Sequence, residues 1–475
     1  MELRSAAVRS LEEVITKIRE AANIPAYFGK VYVVGGYLRD RELNLVPADD
    51  LDLVLEQDAL EFAYLLHRSG ISTHYPVTYP RFGTAMVHIS DSLGRLHQVE
   101  LVTARRESYV ENSRKPDVTV GTLRDDVYRR DFTINTLVQN VHLDGLLDIT
   151  GKALQDLADK VLRTPLDPQV TFFDDPLRML RAVRFAAKLD FTIEGSTFGA
   201  IQRWAERLRS AAIANERIRD EFVKIAMLPG HAFAKGIRLL LQTGLLHQFM
   251  WEMEPMLGCI QGGWHIHDVW NHSLAAVELL PNDAPLPARL ATLWHDIAKP
   301  TVRTEDEQGI HFYGHAELGA TTVRRLMRRL HFSNDVISDT VTLVALHMKP
   351  GQYTTEWSDA AVRRFMREQA NLRDQLMTVV QCDQGSMNLP QVNRDRLNSL
   401  RQRIADQKAA MDVEALNSPL DGNEIMNILR IDRGPTVAKA KNFLTDRVIE
   451  GELDKHDKES ATNLLKVWFE EYTDN

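Results

Sequence analysis

The sequence predicts an α+β head with a mixed sheet, followed by a long all-α remainder. Three observations carry this. Short apolar, β-branched runs at Val31–Val34, Leu51–Leu55, Ala85–Ile89, His97–Thr103 and Leu146–Ile149 read as strands, and such runs almost vanish beyond residue 150. From about Leu154 the apolar residues recur at helical spacing, broken by turn signals such as Pro255, Gly262-Gly263, Asn282–Pro287 and Pro350-Gly351. At 475 residues with 44% apolar side chains, the chain has room for several well-filled cores. Composition shifts predict four segments: a head over 1–150, a helical neck and body over 151–257, a helical domain over 258–386, and a C-terminal helical segment over 387–475.

Residues 1–25 read as a charged amphipathic helix without the apolar core of a signal peptide. No apolar run approaches the roughly 18 residues that a membrane span needs, so no membrane partner is expected. Cys259 and Cys382 are too few and too far apart for a disulfide scaffold and suit a reducing, cytoplasmic location. A net charge of −9 excludes a global polycation. Nucleic acid, if bound, must meet local basic patches.

The head is organised around Val31–Glu56. A strand (Val31–Val34) ends at Gly35-Gly36, Tyr37–Leu45 can form a short helix, and a second strand carries Asp50 and Asp52. Residues i and i+2 of a strand share a face, so the two carboxylates project together. They can hold a hard cation such as Mg²⁺, while bare Gly-Gly backbone admits a phosphate. That suggests a metal-dependent nucleotidyl-transfer site; an ordinary strand–helix–strand start with surface acids is the alternative. Glu100, in Gln98–Thr103, sits between apolar neighbours, where a carboxylate is costly unless paired or metal-bound. It is a candidate third acid, against a solvent-facing edge glutamate. Thr103–Thr122 is polar and aperiodic and reads as a mobile loop offering Arg105, Arg106, Arg114 and Lys115 to phosphates.

A helix over Asp131–Val138 is expected next. Arg129, Arg130 and Asp131 at its start offer cationic forks for a triphosphate and an acceptor for a ribose hydroxyl, unless they are surface arginines at a capped end. In Asp174–Phe185, Pro176 opens a helix on which Arg178, Arg181, Arg184 and Lys188 share one face. Asp175 and Arg178 can meet one turn apart. There Asp accepts from the amino group that cytosine and adenine carry, and Arg donates to ring or carbonyl acceptors. An intrahelical salt bridge is the alternative.

Together GG-x-LRD, DLDLV, VELVTAR, RRDFTIN and DDPLRMLRAVRFAAKLDF, in this order over residues 25–255, resemble the bacterial (class II) tRNA nucleotidyltransferase and poly(A) polymerase family. Leu420–Leu453 is similar to that family's C-terminal helical segment. The resemblance implies a polymerase-β-like nucleotidyltransferase head that adds CCA to tRNA from CTP and ATP without a template. Asp50 and Asp52 would hold two Mg²⁺ ions, with Glu100 as third carboxylate. Gly35, Gly36 and Arg39 would contact the triphosphate, and Arg130, Asp131 and Asn135 the ribose and phosphates. Asp175 and Arg178 would select the base, with Arg181 and Arg184 completing the nucleotide site. Glu216-Arg217 matches the motif bracing the neck, and Asp148 and Gly151 fall in the segment where head and neck flex. The chain departs at Asp174, where the family has Glu, and at Lys152, which replaces a second Gly.

A second series, His272, His295-Asp296, His315, His347 and Asp383, offers imidazoles and carboxylates suited to a divalent transition metal. Its order resembles an HD phosphohydrolase domain over Trp264–Gln384. The family carries 2′,3′-cyclic phosphodiesterase and phosphatase activities, and some HD domains keep ligands without hydrolysis. His265, His267 and His311 read as bystanders. Two arginine clusters, Arg324, Arg325, Arg328, Arg329 and Arg363, Arg364, Arg367, can grip RNA phosphates or form solvated helix faces. The rivals are a poly(A) polymerase, against which the acidic C-terminus argues, enzymes adding only CC or only A, an HD phosphohydrolase with an RNA-binding head, and a non-catalytic RNA-binding protein.

Overall fold

The computed structural model describes residues 2–47, 50–108, 117–210, 213–368, 371–410 and 416–473. The chain divides into two compact units: Met1–Leu228 with Ala232–Glu254, and Pro229–His231 with Pro255–Asn475.

The first unit holds a seven-stranded mixed sheet in the order Val77–Tyr79, Thr84–Ser90, Leu96–Thr103, Asp50–Leu55, Val31–Val34, Leu137–Asn140, Leu147–Asp148. Asp50–Leu55 runs parallel to Leu96–Thr103, and the other pairings are antiparallel. Thr84–Ser90 and Leu96–Thr103 alternate buried and open positions, the pattern of strands covered on one face. Leu53, Val54 and Leu55 are buried consecutively, so the central strand is covered on both faces except at its start, where the carboxylates lie. One face packs Tyr32, Val34, Val54, Leu123, Val127 and Val138. The helices Glu2–Ala21 and Ala59–Arg68 bring buried Leu11, Val14, Ile18, Phe62, Ala63 and Leu66 into the core. The N-terminal helix is tied down by Ser10, whose hydroxyl donates to Asp91 Oδ2 at 2.5 Å and lies 2.7 Å from His97 Nε2, all three buried.

Two expectations fail here. The helix over Asp131–Val138 is absent: Thr133–Asn135 is one 3₁₀ turn and Leu137–Asn140 is a strand beside Val31–Val34. The run is rich in β-branched residues, Thr133 and Thr136 spend their hydroxyls on Asp156 and on the Thr133 carbonyl, and Val138 pairs with Val34. The Thr103–Thr122 loop contains a hairpin, Arg105–Ser108 with Asp117–Val120. Arg114 and Lys115 lie outside the described residues, as does the Arg106 side chain.

Beyond the sheet the unit is helical apart from a small ribbon, Val161–Leu162 with Thr192–Ile193. Helices Leu177–Leu189 and Asn215–Ala226 pack together, joined by Arg184 donating to Glu221 at 2.8 Å. The second unit packs Val269–Glu278, Leu286–Trp294, His315–Arg329, Asn334–Leu346 and Arg373–Gly385 about a core that includes fully buried Trp294. A separate cluster of Leu420, Ile425, Leu444 and Leu465 holds the last three helices together. No described helix is long and apolar enough to cross a membrane.

Candidate active site and metal centre

The parallel register sets Asp52 opposite Glu100 and Asp50 opposite Gln98. Side chains in register, or two apart, share a face. Asp50, Asp52 and Glu100 therefore form one row of acids. Glu100 earns its place differently from the expectation: it is exposed, while Val99 and Leu101 point to the buried face. Its pairing with Asp52, rather than an apolar setting, is what puts it in the acid row.

On the other side Val34 pairs with Asp52, so Gly35 turns directly beside that carboxylate. Gly35 has φ 77° and ψ −134°. A Cβ there would lie 3.0 Å from Asp52 Oδ2 and 3.4 Å from Arg130 Nη1. Glycine is required by both the backbone and the space. Burial, with Glu100 and Asp50 nearby, pushes the Asp52 pKa up to about 6, although Arg130 opposes the shift. Such a row of carboxylate oxygens suits a hard divalent cation.

Two adjoining cavities of about 490 and 270 Å³ share Asp52, Arg130, Asp131 and Arg181. The larger adds Glu100, Arg105, Arg129, Asp175, Arg178 and Arg217; the smaller adds Gly35, Gly36, Arg39, Asp50, Asn135, Arg184 and Lys188. Every nucleotide-site residue expected from the sequence lines one or both. Arg178 Nε is 3.8 Å from Asp175 Oδ2, close enough for charge attraction but outside hydrogen-bond range, and Asp175 Oδ1 accepts from the Leu177 amide at 3.1 Å. The ring of Phe185 sits beneath the guanidinium groups of Arg39, Arg181 and Arg184, at 5.2, 5.7 and 4.4 Å from its centre.

Asp131 is buried, and both its oxygens are engaged. Oδ1 accepts from the Phe132 and Asn135 nitrogens, each at 2.9 Å, and Oδ2 accepts from Arg181 Nε and Nη2 at 2.9 and 2.6 Å. Burial works against its charge, yet Arg181 and Asn135 hold its pKa at about 2. Arg130 Nη2 donates to the fully buried Asp126 at 3.1 Å, and Arg129 also binds that carboxylate. Asp126 was missed, although it stands three and four residues before the arginines it aims. Asp148 accepts from the Gly151 and Leu154 amides and from Thr150, fixing a turn at whose end Gly151 takes φ 66°.

Arg324, Arg325 and Arg328 lie exposed on the helix His315–Arg329. The second arginine cluster is used within the fold: Arg363 donates to the Ile449 carbonyl, Arg364 to Glu450 and Arg367 to Asn417.

The second centre gathers its residues from five helices or helix ends. Nε2 atoms of His272 and His295 lie 3.2 Å apart, as do those of His315 and His347. Asp296 joins both pairs, with Oδ2 at 3.5 and 3.2 Å from the first and Oδ1 at 3.5 and 3.8 Å from the second. Asp383 Oδ1 lies 3.0 Å from His272 and 3.5 Å from His295. The Nδ1 atoms of His295, His315 and His347 meet the carbonyls of Thr292, Phe312 and Val344, while His272 Nδ1 meets the Ser386 hydroxyl. Carbonyls only accept, so Nδ1 of His295, His315 and His347 carries a proton, which turns each Nε2 inward. Metal-binding imidazoles are held in this manner. Burial opposes charge on His295, but Asp296 and Asp383 push its pKa up to about 10.

A cavity of about 510 Å³ opens over this cluster. Lys299, unremarked in the sequence, lies 2.7 Å from Asp296 Oδ2 and 2.6 Å from Gln261 Oε1 on its wall. His265 and His311, set aside from the sequence, also line it; His265 packs edge-on against His272 at 4.7 Å between centres. His267 does not line that cavity.

Residues 31–163 match the family described as the poly A polymerase head domain, 190–257 a probable RNA and SrmB-binding site of polymerase A, and 265–383 the HD domain. The chain is 32% identical to a CC-adding tRNA nucleotidyltransferase of Thermus thermophilus, over 73% of this chain and 78% of that one. It is 31% identical to an A-adding tRNA nucleotidyltransferase of Deinococcus radiodurans, over 74% and 80%. Among solved structures, the Bacillus stearothermophilus CCA-adding enzyme in complex with CTP aligns over 98% of this chain and 99% of that one, with a TM-score of 0.69 and 19% identity. A CCA-adding enzyme with ATP aligns over 96% of both, with a TM-score of 0.61 and 19% identity. These structural likenesses speak to the fold.

Proposed function

Because this chain belongs to the tRNA nucleotidyltransferase family, we propose that it adds C, C and A to tRNA 3′ ends from CTP and ATP without a template. One observation carries the reading: the row Asp50, Asp52, Glu100 faces the same pair of cavities as Asp175 and Arg178. Asp50 and Asp52, with Glu100, would hold Mg²⁺. The bound cation supplies neutralisation of phosphoryl charge and acidifies a coordinated hydroxyl. The chain's own residues do the rest. Arg130, with a buried Nε that has no protein partner among the described residues, offers a donor to the triphosphate; Arg39, Arg184 and Lys188 add positive charge around the same cavity. Gly35 and Gly36 let backbone approach the phosphates. Asp175 accepts from the exocyclic amino group of cytosine or adenine, and Arg178 donates to the acceptors beside it. In-line attack of the tRNA 3′-hydroxyl then needs little protein acid–base chemistry.

The test supplies CTP and ATP together, with Mg²⁺, to tRNAs ending before the first C or after CC, and to an unstructured oligonucleotide. Stopping after three nucleotides supports the reading. Stopping after CC, or adding only A, assigns a part-reaction like those the two relatives are named for. Long A tails on the oligonucleotide overturn it in favour of a poly(A) polymerase. Asp50→Ala with Asp52→Ala abolishes incorporation; retained activity refutes the site.

The second centre supports a further reading: a divalent transition metal held by His272, His295, Asp296, His315, His347 and Asp383, acting in phosphoester hydrolysis. Its four inward-facing Nε2 atoms favour this. His295→Ala removes metal-stimulated hydrolysis of 2′,3′-cyclic nucleotides to nucleoside monophosphates and spares nucleotide addition.

A further inference from the structure

We propose that the cavity over the second centre is a nucleoside subsite, in which Trp264 and Tyr313 offer aromatic faces to a base and Gln384 meets the base's edge. The inference rests on reading that centre as a metal-dependent phosphoesterase, and it names what else of the substrate the chain holds. The cavity measures about 510 Å³, within the roughly 300–1,000 Å³ of sites that enclose a small ligand. The ligand cluster and Lys299 make one polar wall. A phosphoryl group set against that wall leaves most of the space empty. The remaining wall is largely apolar, with Ile310, Phe312, Met348 and Leu389 in it. All of these residues lie within the second compact unit.

Tyr313 and Trp264 line this cavity although they are 75% and 55% exposed. A single exposed ring needs no explanation, but both of these stand at one cavity and both are held. The Tyr313 ring stacks on His311 with 10° between planes and 5.2 Å between centres. Its hydroxyl lies 3.3 Å from His311 Nδ1, and His311 Nε2 lies 2.9 Å from Asp306 Oδ1 in the hairpin Thr304–Asp306 with Gly309–His311. His311, a bystander by its sequence, is thus the support of an aromatic face. Trp264 follows the Gly262-Gly263 turn, and its carbonyl accepts from the Asn388 amide at 3.0 Å. Rings fixed before a ligand arrives lose little freedom on binding it. Gln384 is next to Asp383 on the helix Arg373–Gly385, and its Oε1 is buried with no partner among the described residues. A covered acceptor left unpaired is costly, and a donor on the edge of a base would satisfy it. Stacking is indifferent to base identity, so the subsite takes nucleosides as a class.

The experiment measures Mn²⁺-stimulated hydrolysis of 2′,3′-cyclic AMP and of 1-O-methylribose 2′,3′-cyclic phosphate, which lacks a base. It compares the full chain with Trp264→Ala, Tyr313→Ala, Tyr313→Phe and Gln384→Ala. In both substrates one water opens one P–O bond of the ring and leaves a monophosphate, so the chemical step is shared. Wild type is expected to favour the nucleotide by about tenfold or more in kcat/KM. Trp264→Ala and Tyr313→Ala each raise KM for the nucleotide about tenfold, with kcat within about threefold, and the loss does not extend to the base-less substrate. Tyr313→Phe keeps the ring and the wild-type KM, while Gln384→Ala raises KM about fivefold. Three results overturn the inference: equal kcat/KM of wild type for the two substrates; equal losses on both in the two ring variants, which makes the rings structural; or an unchanged KM for the nucleotide in both. If wild type hydrolyses neither substrate, the hydrolytic reading of the centre falls, and titration calorimetry with adenosine 2′-phosphate decides the subsite by itself. A binding site present in wild type and missing from the Trp264→Ala, Tyr313→Ala double variant upholds the subsite, and identical binding by the two refutes it.

Discussion

Replacing Gly35 by alanine probes the reaction centre through the smallest possible change. At φ 77° and ψ −134° the backbone lies in a region that L side chains essentially avoid, at a cost of about 1–3 kcal/mol. The added methyl would also stand 3.0 Å from Asp52 Oδ2. Asp52 cannot retreat by moving its strand, because Leu53, Val54 and Leu55 are buried behind it. Its side chain must rotate, at roughly 0.5–1.5 kcal/mol if driven off its rotamer. The combined destabilisation is about 2–4 kcal/mol, which for a unit of this size lowers the unfolding midpoint by very roughly 4–16 °C. The catalytic effect is expected to be larger, since a displacement on the order of 1 Å at a carboxylate proposed to hold the metal costs about a hundredfold in rate. Single-turnover CTP incorporation over a Mg²⁺ titration, beside thermal unfolding, reads both effects. Gly36→Ala is the internal comparison: its Cβ meets Arg39 Nη2 at 3.6 Å, an ordinary contact, so its rate stays within about tenfold of wild type. A Gly35→Ala protein that incorporates CTP within about threefold of wild type, with an unchanged midpoint, refutes the close-approach argument.

Glu221→Ala strands the mostly buried Arg184 and is expected to cost about 3–5 kcal/mol in denaturant unfolding, whereas Lys224→Ala, at an exposed partner of the same carboxylate, costs less than about 1. Equal costs would show that burial is not what matters there. Burial works against the Asp91 charge, but the Ser10 hydroxyl, the Arg95 and Leu93 amides and His97 hold its pKa at about 2, below the ordinary 3.8. Its contribution is therefore full above the unfolded value and drains away as pH falls from about 4 to 2. The urea-midpoint gap between wild type and Asp91→Asn should shrink from pH 6 to pH 3, and a gap that widens in acid contradicts the sign. At the second centre, chelation should lower the unfolding midpoint of wild type but not of His295→Ala; equal responses would place the stabilising metal elsewhere.

The row of acids was legible because strand period is local: Asp50 and Asp52 share a face whatever the fold. Glu100 was also named from its strand, but the register that sets it beside Asp52 was not legible, since that parallel pairing joins residues 48 positions apart and is set by the whole sheet. The Asp131–Val138 error has the same origin. A short apolar run with Thr133, Ile134, Thr136 and Val138 fits a helix or a buried strand equally, and the edge offered by Val31–Val34 decides it. Asp126 and Lys299 show the opposite failure. Both stand at helical spacing from candidate site residues, Arg130 and Asp296, so their partners were visible; their burial, which turns ordinary surface pairs into positioning contacts, was not.

The two centres differ in a way that follows from their frames. The head's acids lie at the open start of a strand, with Asp50 and Glu100 exposed and no imidazole among the residues lining either cavity. Such all-oxygen sites favour a hard ion that keeps water and completes its shell with a substrate's phosphates. The second centre draws buried imidazoles from separate helices and locks each by its Nδ1, so its donors are oriented before any substrate arrives. A centre with that donor set favours a resident transition metal. Extensive dialysis against chelator followed by Mg²⁺ alone should therefore restore nucleotide addition in full while leaving cyclic-nucleotide hydrolysis unrestored. Recovery of both by Mg²⁺ would mean that the imidazoles do not select the ion.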